Sequence, residues 1–142
     1  MSKNLVSASK INKGNVSRYI KPSFIEDDKI LNVAFDLRDR TPPEEFVSFY
    51  LLKNSDEDSM YKEAIELLPI SPKKDGAMIL LDIKEALEEI NDEVDEIINF
   101  VEKSLPHCGM IYLTNNLSKI QEAKTTLSYL VKNRFKLIKN IS

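Results

Sequence analysis

The sequence predicts a single-domain α/β fold, a three-layer or two-layer sandwich with a short, mostly parallel sheet and amphipathic helices. Two features between residues 76 and 132 support this class: short continuous apolar runs without alternation, and longer segments whose apolar residues recur every three or four positions. A strand buried on both faces produces the first pattern, and an amphipathic helix produces the second. Because the two patterns alternate twice with short joins, we expect parallel pairing with right-handed crossovers.

The first strand and helix of this series are predicted at residues 77–81 and 83–101. The apolar run 77–81 is expected to be a central strand. From Ile83 to Val101 an apolar stripe faces an almost wholly charged side, which predicts a helix of about six turns. Asp82 and Glu85 fit a capping box at its start, and Leu105-Pro106 should end it.

The second strand and helix are predicted at residues 108–113 and 117–131. Asn115-Asn116 supplies a turn and an N-cap between them. The basic residues after position 131 alternate with Phe135 and Leu137. This pattern is typical of a half-exposed terminal strand, and basic residues interleaved with an aromatic one could instead contact nucleic acid.

The N-terminal half gives weaker patterns. Residues 29–37 predict a strand of the same sheet, and the cap signature at 55–58 opens a helix that Pro69 ends. Residues 46–52 have two interpretations. The capping box at 41–44 favours a helix, whereas the β-branched and aromatic residues that follow favour a strand.

Length and composition indicate one ordinary domain. The chain has 142 residues, 42% of them apolar, and we divide it into a disordered basic tail at 1–14 and an α/β domain at 15–142. No run approaches the ~18 apolar residues of a membrane span, and the start lacks the apolar core of a secretory signal, so we expect a cytoplasmic protein with no membrane contact. Cys108 is the single cysteine, which excludes an internal disulfide and a multi-thiolate metal site, and no cofactor is expected.

Charge is distributed unevenly along the chain. Residues 1–23 hold five basic groups and no acid, and residues 117–142 hold six basic groups against Glu122. The middle, 24–116, therefore holds nine basic and 22 acidic groups. Either the basic ends and the acidic middle neutralise each other in the fold, or one of these surfaces attracts a partner of opposite charge.

A non-catalytic protein–protein interaction module is the leading functional prediction, in the sense of a small accessory, immunity or adaptor protein. Whether it is an enzyme is left open. The absence of activity is favoured, because no segment holds a phosphate-binding glycine loop, a metal-ligand cluster or a nucleophile with an obvious base. The expected binding surface is the acidic side of the long helix, with Arg18 as a further candidate whose alternative is an ion pair to the acidic middle. The acidic candidates are Glu85, Glu88, Asp92, Asp95 and Glu96.

Two alternatives belong to other classes. Asp36 and Asp82 follow apolar runs, and with Lys84 they could hold Mg²⁺ in a phosphodiesterase or nuclease. A nucleic-acid-binding accessory protein would instead use the basic C-terminal helix. A nucleophilic pair of His107 and Cys108 is disfavoured, since neighbouring side chains on a strand point to opposite faces. The run 36–40 could be a binding loop or a solvated turn, and the oligomeric state is left open.

The segment Arg18-Tyr19-Ile20-Lys21-Pro22-Ser23-Phe24, followed by Ala34-Phe35, carries a resemblance. It resembles the opening of a loose group of small uncharacterised bacterial proteins, in which an Arg-x-hydrophobic-x-Pro-x-aromatic element precedes an Ala-Phe pair. The resemblance covers about forty residues and implies a bacterial origin.

Overall fold

Residues 9–38 and 44–141 are described by a computed structural model, and seven of their strands form one antiparallel sheet. The sheet has the order β1-β7-β8-β5-β2-β6-β9, while β3 and β4 form a separate ribbon. The strands are β1 (Lys10–Ile11), β2 (Asn15–Ile20), β3 (Ile25–Glu26), β4 (Lys29–Ile30), β5 (Val47–Leu51), β6 (Ala77–Asp82), β7 (Ile98–Ser104), β8 (His107–Tyr112) and β9 (Phe135–Leu137).

Helices cover both faces of the sheet. They are α1 (Glu57–Leu67), α2 (Ile83–Ile90) and α3 (Leu117–Leu130), with short 3-10 helices at Pro22–Phe24, Asn32–Phe35 and Ile138–Asn140. The strand β6, which lies between β2 and the edge strand β9, is buried along nearly its whole length, as its uninterrupted apolar run predicts. Ile79 and Leu81 join the core beneath α2 and α3, whereas Met78 and Leu80 join the core beneath α1, so the domain has three layers.

The predicted mostly parallel sheet is wrong, because every pairing in the seven-stranded sheet is antiparallel. The error arises from the predicted helix 83–101. The helix that begins at Ile83 ends at Ile90, and β7 occupies 98–104 and pairs with β8 as a hairpin. A helical crossover between parallel strands is therefore replaced by a loop and a hairpin.

Asn91 explains why the helix stops. Its Oδ1 accepts hydrogen bonds from the backbone N–H groups of Ile97 (2.7 Å) and Ile98 (3.0 Å), and its Nδ2 donates to the Ile98 carbonyl oxygen (2.9 Å). Asp92 then accepts from the N–H groups of Val94 and Asp95. These local bonds compete with helical ones, and Val94, a member of the predicted apolar stripe, is 91% exposed.

The segment 46–52 is a strand, since β5 spans Val47–Leu51. The capping residues proposed at 41–43 lie outside the described residues. The predicted strand 29–37 is replaced by β4 and the 3-10 helix Asn32–Phe35, and the turn between β3 and β4 has positive φ at Asp27 (51°) and Asp28 (60°). Two consecutive left-handed residues favour a tight hairpin in place of a longer strand.

The predicted helices near 57 and 117 are confirmed together with their caps. Ser59 N donates to the Asp56 carboxylate (3.0 Å), and Lys119 N donates to Asn116 Oδ1 (3.2 Å). Residues 1–8 of the predicted tail lie outside the described residues, while β1 lies within the remainder of that segment. Within 9–38 and 44–141, no helix combines the length and apolar character needed to cross a bilayer.

Candidate functional site

Two adjoining cavities lie where β8 ends, β5 begins and the 3-10 helix Asn32–Phe35 leads into the loop. Both are lined by Asp36 and Leu37, and we call the pair the Asp36 cleft. The Tyr112 cavity measures about 660 Å³ and is lined by Asp36, Leu37, Glu44, Glu45, Tyr112, Thr114, Asn115, Leu117, Ile120 and Lys124. The Arg18 cavity measures about 490 Å³ and is lined by Arg18, Tyr19, Lys21, Phe24, Val33, Asp36, Leu37 and Arg38.

Arg18 lies at the base of the cleft because it occupies a core-facing position of the interior strand β2. Its Nε donates to the Ala34 carbonyl oxygen and its NH1 donates to the Ser48 carbonyl oxygen, each at 3.0 Å. Burial lowers the pKa of Arg18 to about 10, and the Glu44 carboxylate opposes this shift. The guanidinium therefore remains charged near neutral pH and joins the 3-10 helix to β5.

Asp36 and Lys124 form an ion pair inside the Tyr112 cavity. Lys124 Nζ lies 2.6 Å from Asp36 Oδ1, and Lys124 is only 9% exposed although it is a lysine on a surface helix. The Tyr112 hydroxyl donates to the Phe35 carbonyl oxygen (2.7 Å), which holds the residue before Asp36. Burial and, to a smaller extent, the Asp36 carboxylate raise the pKa of Tyr112, so its hydroxyl stays protonated and donates.

Arg38 and Glu44, the described residues on either side of positions 39–43, contact each other directly. Arg38 N and NH2 donate to the two carboxylate oxygens of Glu44 at 2.6 and 3.0 Å, and Glu44 N donates to the Arg38 carbonyl oxygen at 3.2 Å. The hydrogen bond to Glu44 raises the pKa of Arg38. Because Arg38 lines one cavity and Glu44 lines the other, this contact lies at the boundary between the two.

Exposed aliphatic residues border the cleft. Leu117, in the first turn of α3, is 77% exposed, while Val33 and Leu37 are 39% and 37% exposed. Together with the charged groups they form a mixed surface, apolar at its edge and charged inside. This combination is typical of binding sites, in which apolar contact supplies affinity and a few polar groups supply orientation.

The five acidic candidates do not share one helix. Glu85 and Glu88 lie on α2, whereas Asp92, Asp95 and Glu96 lie in the loop before β7. Several already have partners: Asp95 pairs with Lys119, Glu96 with Lys10 at 3.5 Å, and Glu88 with Lys84 at 4.0 Å. Their role in partner binding stays a prediction.

The two basic ends of the chain pair with its acidic middle. Besides the contacts of Lys10, Lys119 and Lys124, Lys136 lies 3.2 Å from Asp58 and Lys139 lies 3.9 Å from Asp75. The uneven charge along the sequence is thus partly neutralised within the fold. Long-range attraction of a partner by either end is correspondingly weakened.

The metal-binding alternative receives no support from its two carboxylates. Asp82 caps α2 by accepting from Glu85 N (3.1 Å), as its capping-box pattern predicts, and Asp36 is paired with Lys124. In the part of the chain that the structure describes, no group of three or more His, Cys, Asp and Glu side chains is placed to hold a metal ion.

His107 and Cys108 point to opposite faces of β8, as their alternation predicts. Cys108 is fully buried in the core beneath α2 and α3, and burial raises the pKa of its thiol to about 12. His107 Nε2 instead lies 2.7 Å from Ser48 Oγ on the other face, between the rings of Phe46 and Tyr50.

Sequence reasoning did not select Tyr112, Glu44 or Lys124 as site residues. Tyr112 was assigned only to a strand and Lys124 only to a helix. A usable signal was present in Lys124, which interrupts the buried face between Ala123 and Leu127. The run 36–40 has two interpretations, a binding loop or a solvated turn; Asp36, Leu37 and Arg38 line the cleft, while residues 39 and 40 lie outside the described ranges.

The fold and cleft define the class of this protein as an antiparallel α/β sandwich with a charged surface cleft. No protein-family model, curated protein or solved structure matches the chain.

Proposed function

We propose that this protein is a non-catalytic interaction module and that a segment of a protein partner binds in the Asp36 cleft. The observation that carries the proposal is the nearly buried Lys124, held by Asp36 inside a cavity of about 660 Å³ whose edge is aliphatic. A buried ammonium is costly unless it is paired, and the pairing with Asp36 keeps this charge at the wall of the cavity, where a ligand can reach the pair.

The rigidity of the site supports binding. Arg18 is fixed by β2 and two carbonyl groups, Tyr112 by β8 and Phe35, and Lys124 by α3 and Asp36. Side chains that are already ordered lose little conformational entropy when a ligand binds, which favours affinity. The same contacts argue against catalysis, because the charged groups are used to position one another.

The exposed aliphatic residues favour a protein segment as the ligand. Leu117 and Leu37 offer apolar contact outside the charged interior, and protein partners supply both kinds of group from one chain. The acidic segment 85–96 remains a secondary candidate surface. A bacterial origin and a cytoplasmic location complete the proposal and rest on the sequence alone.

Affinity capture with matched variants tests the proposal. Leu117→Glu places a charge at the apolar edge of the cleft, and Ile70→Glu places the same charge at a residue of nearly equal exposure, 77% against 76%, that lines neither cavity. We expect a near-stoichiometric companion from lysate of the native host with wild-type protein and Ile70→Glu, and its loss with Leu117→Glu. Equal capture by both variants contradicts the assignment of the cleft.

A further inference from the structure

The two cavities of the Asp36 cleft carry opposite charge. Among the described lining residues, the Tyr112 cavity has three carboxylates, Asp36, Glu44 and Glu45, against Lys124. The Arg18 cavity has three cationic side chains, Arg18, Lys21 and Arg38, against Asp36. The charge therefore changes sign across the Asp36-Leu37 dipeptide.

We propose that the bound segment is a peptide carrying one cationic and one carboxylate side chain, the cation in the Tyr112 cavity and the carboxylate in the Arg18 cavity. This inference rests on the proposed function and names the chemistry of its partner. Charge complementarity of this kind fixes the direction in which a peptide binds and disfavours peptides with a different charge pattern.

The Tyr112 cavity has the groups that receive a cation. Glu45 is exposed at its wall, and each carboxylate oxygen can accept more than one hydrogen bond. A guanidinium or ammonium from the partner would meet the Glu45 carboxylate at the wall of the cavity, with the Asp36 and Glu44 carboxylates beside it.

The Arg18 cavity has the groups that receive a carboxylate. The Arg18 guanidinium has five N–H donors, and its two hydrogen bonds to Ala34 and Ser48 fix its plane. Lys21 is exposed and lies over the ring of Phe24 at 4.5 Å. A carboxylate is the natural ligand for this set, because charge-assisted hydrogen bonds to arginine are strong and directional.

A peptide fits the pair of cavities better than a small molecule. The two cavities share Asp36 and Leu37, and alternate side chains of an extended peptide point the same way about 7 Å apart. Leu37, which both cavities share, would then contact the backbone or an aliphatic residue between the two charges.

A set of synthetic peptides tests the inference. Blocked nonapeptides carry one Arg and one Glu at spacings of one to four residues, in both orders, in a background of Ser and Leu, with Arg-only and Glu-only peptides for comparison. Binding is measured by fluorescence anisotropy. We expect at least one paired-charge peptide to bind about tenfold more tightly than its single-charge counterparts, with one order preferred.

Charge-removing variants assign each side chain to its cavity. Glu45→Gln should remove the gain in affinity that the peptide's Arg provides and leave the gain that the peptide's Glu provides. Lys21→Gln should remove the gain from Glu and leave the gain from Arg. Glu66→Gln and Lys74→Gln are matched exposed controls outside the cleft and should change neither.

Binding without a charge preference, a preference for doubly basic or doubly acidic peptides, or no binding at all would overturn the inference. If Leu117→Glu still abolishes capture of a companion, the proposed function stands while the ligand chemistry is wrong. If capture is also insensitive to Leu117→Glu, both fail.

Discussion

Replacing Asn91 by alanine should destabilise the protein through the turn that ends α2. The side chain makes three hydrogen bonds to the backbone of Ile97 and Ile98, which are 7% and 0% exposed. Each bond contributes about 1 kcal/mol net, and a buried N–H left without an acceptor costs about 1–3 kcal/mol. Because the site is only partly buried, we expect a loss of about 3 kcal/mol in the free energy of unfolding.

Urea denaturation and calorimetry measure this loss. In a domain of this size roughly 3 kcal/mol lowers Tm by about 10 °C, and the urea midpoint should fall without a change in the slope m. Asn91→Asp keeps the two acceptor bonds and loses the donation to Ile98, so its loss should be smaller. Asn115→Ala removes an exposed amide and serves as the control.

A loss below about 1 kcal/mol for Asn91→Ala, or one equal to that of Asn115→Ala, would refute the reasoning. It would mean that the helix stops at Ile90 for some other cause than these three bonds.

Three further predictions concern the core. Gly76→Ala should cost about 2 kcal/mol or more in urea denaturation, because a Cβ there would lie 2.6 Å from the Tyr19 ring and 2.8 Å from the Ile20 carbonyl oxygen; a neutral result would contradict this packing. The thiol of Cys108, whose pKa burial raises from 9.0 to about 12, should not react with a thiol reagent at pH 8 until the protein unfolds, and rapid labelling of the native state would disprove its burial. As pH rises, the thiol ionises in the unfolded state before it ionises in the folded state, so its contribution to stability is present below pH 9 and is lost between about pH 9 and 12. Over that range Cys108→Ala should therefore lose less stability than the wild type. Equal losses in the two proteins would contradict the pKa shift.

The starts of the three helices and the strands β6 and β8 could be predicted from local patterns. The caps Asp56, Asp82 and Asn116 were predictable because a short polar side chain just before an apolar stripe commonly accepts a hydrogen bond from a backbone N–H group in the first turn of a helix. The run 77–81 was predictable as a buried strand because a short uninterrupted apolar run is typical of a strand covered on both faces.

The direction of the strands could not be predicted, because it depended on a single turn. The apolar residues of 94–101 fit a helical period by chance, while Asn91 and Asp92 carried the turn signal that the stripe concealed. Once 98–104 is a strand, its short connection to β8 requires a hairpin, and the parallel arrangement is excluded.

The candidate site was predictable only in part, for a geometric reason. Asp36 and Arg18 stood out as charged residues next to apolar runs, but their partners Lys124, Ala34 and Ser48 lie on other elements that look ordinary in sequence. The contact between Tyr112 and Phe35, for example, joins positions that no local pattern connects.

The position of β2 in the middle of the sheet has a consequence for synthesis of the protein. This early segment pairs with β5 and with β6, whose last residue is Asp82, and β1 pairs with β7 beyond position 98. A chain emerging from the ribosome therefore exposes unpaired strand edges until β6 and β7 have been made. Folding is then expected to be slow, and fragments that end before β6 should aggregate instead of forming a smaller stable domain.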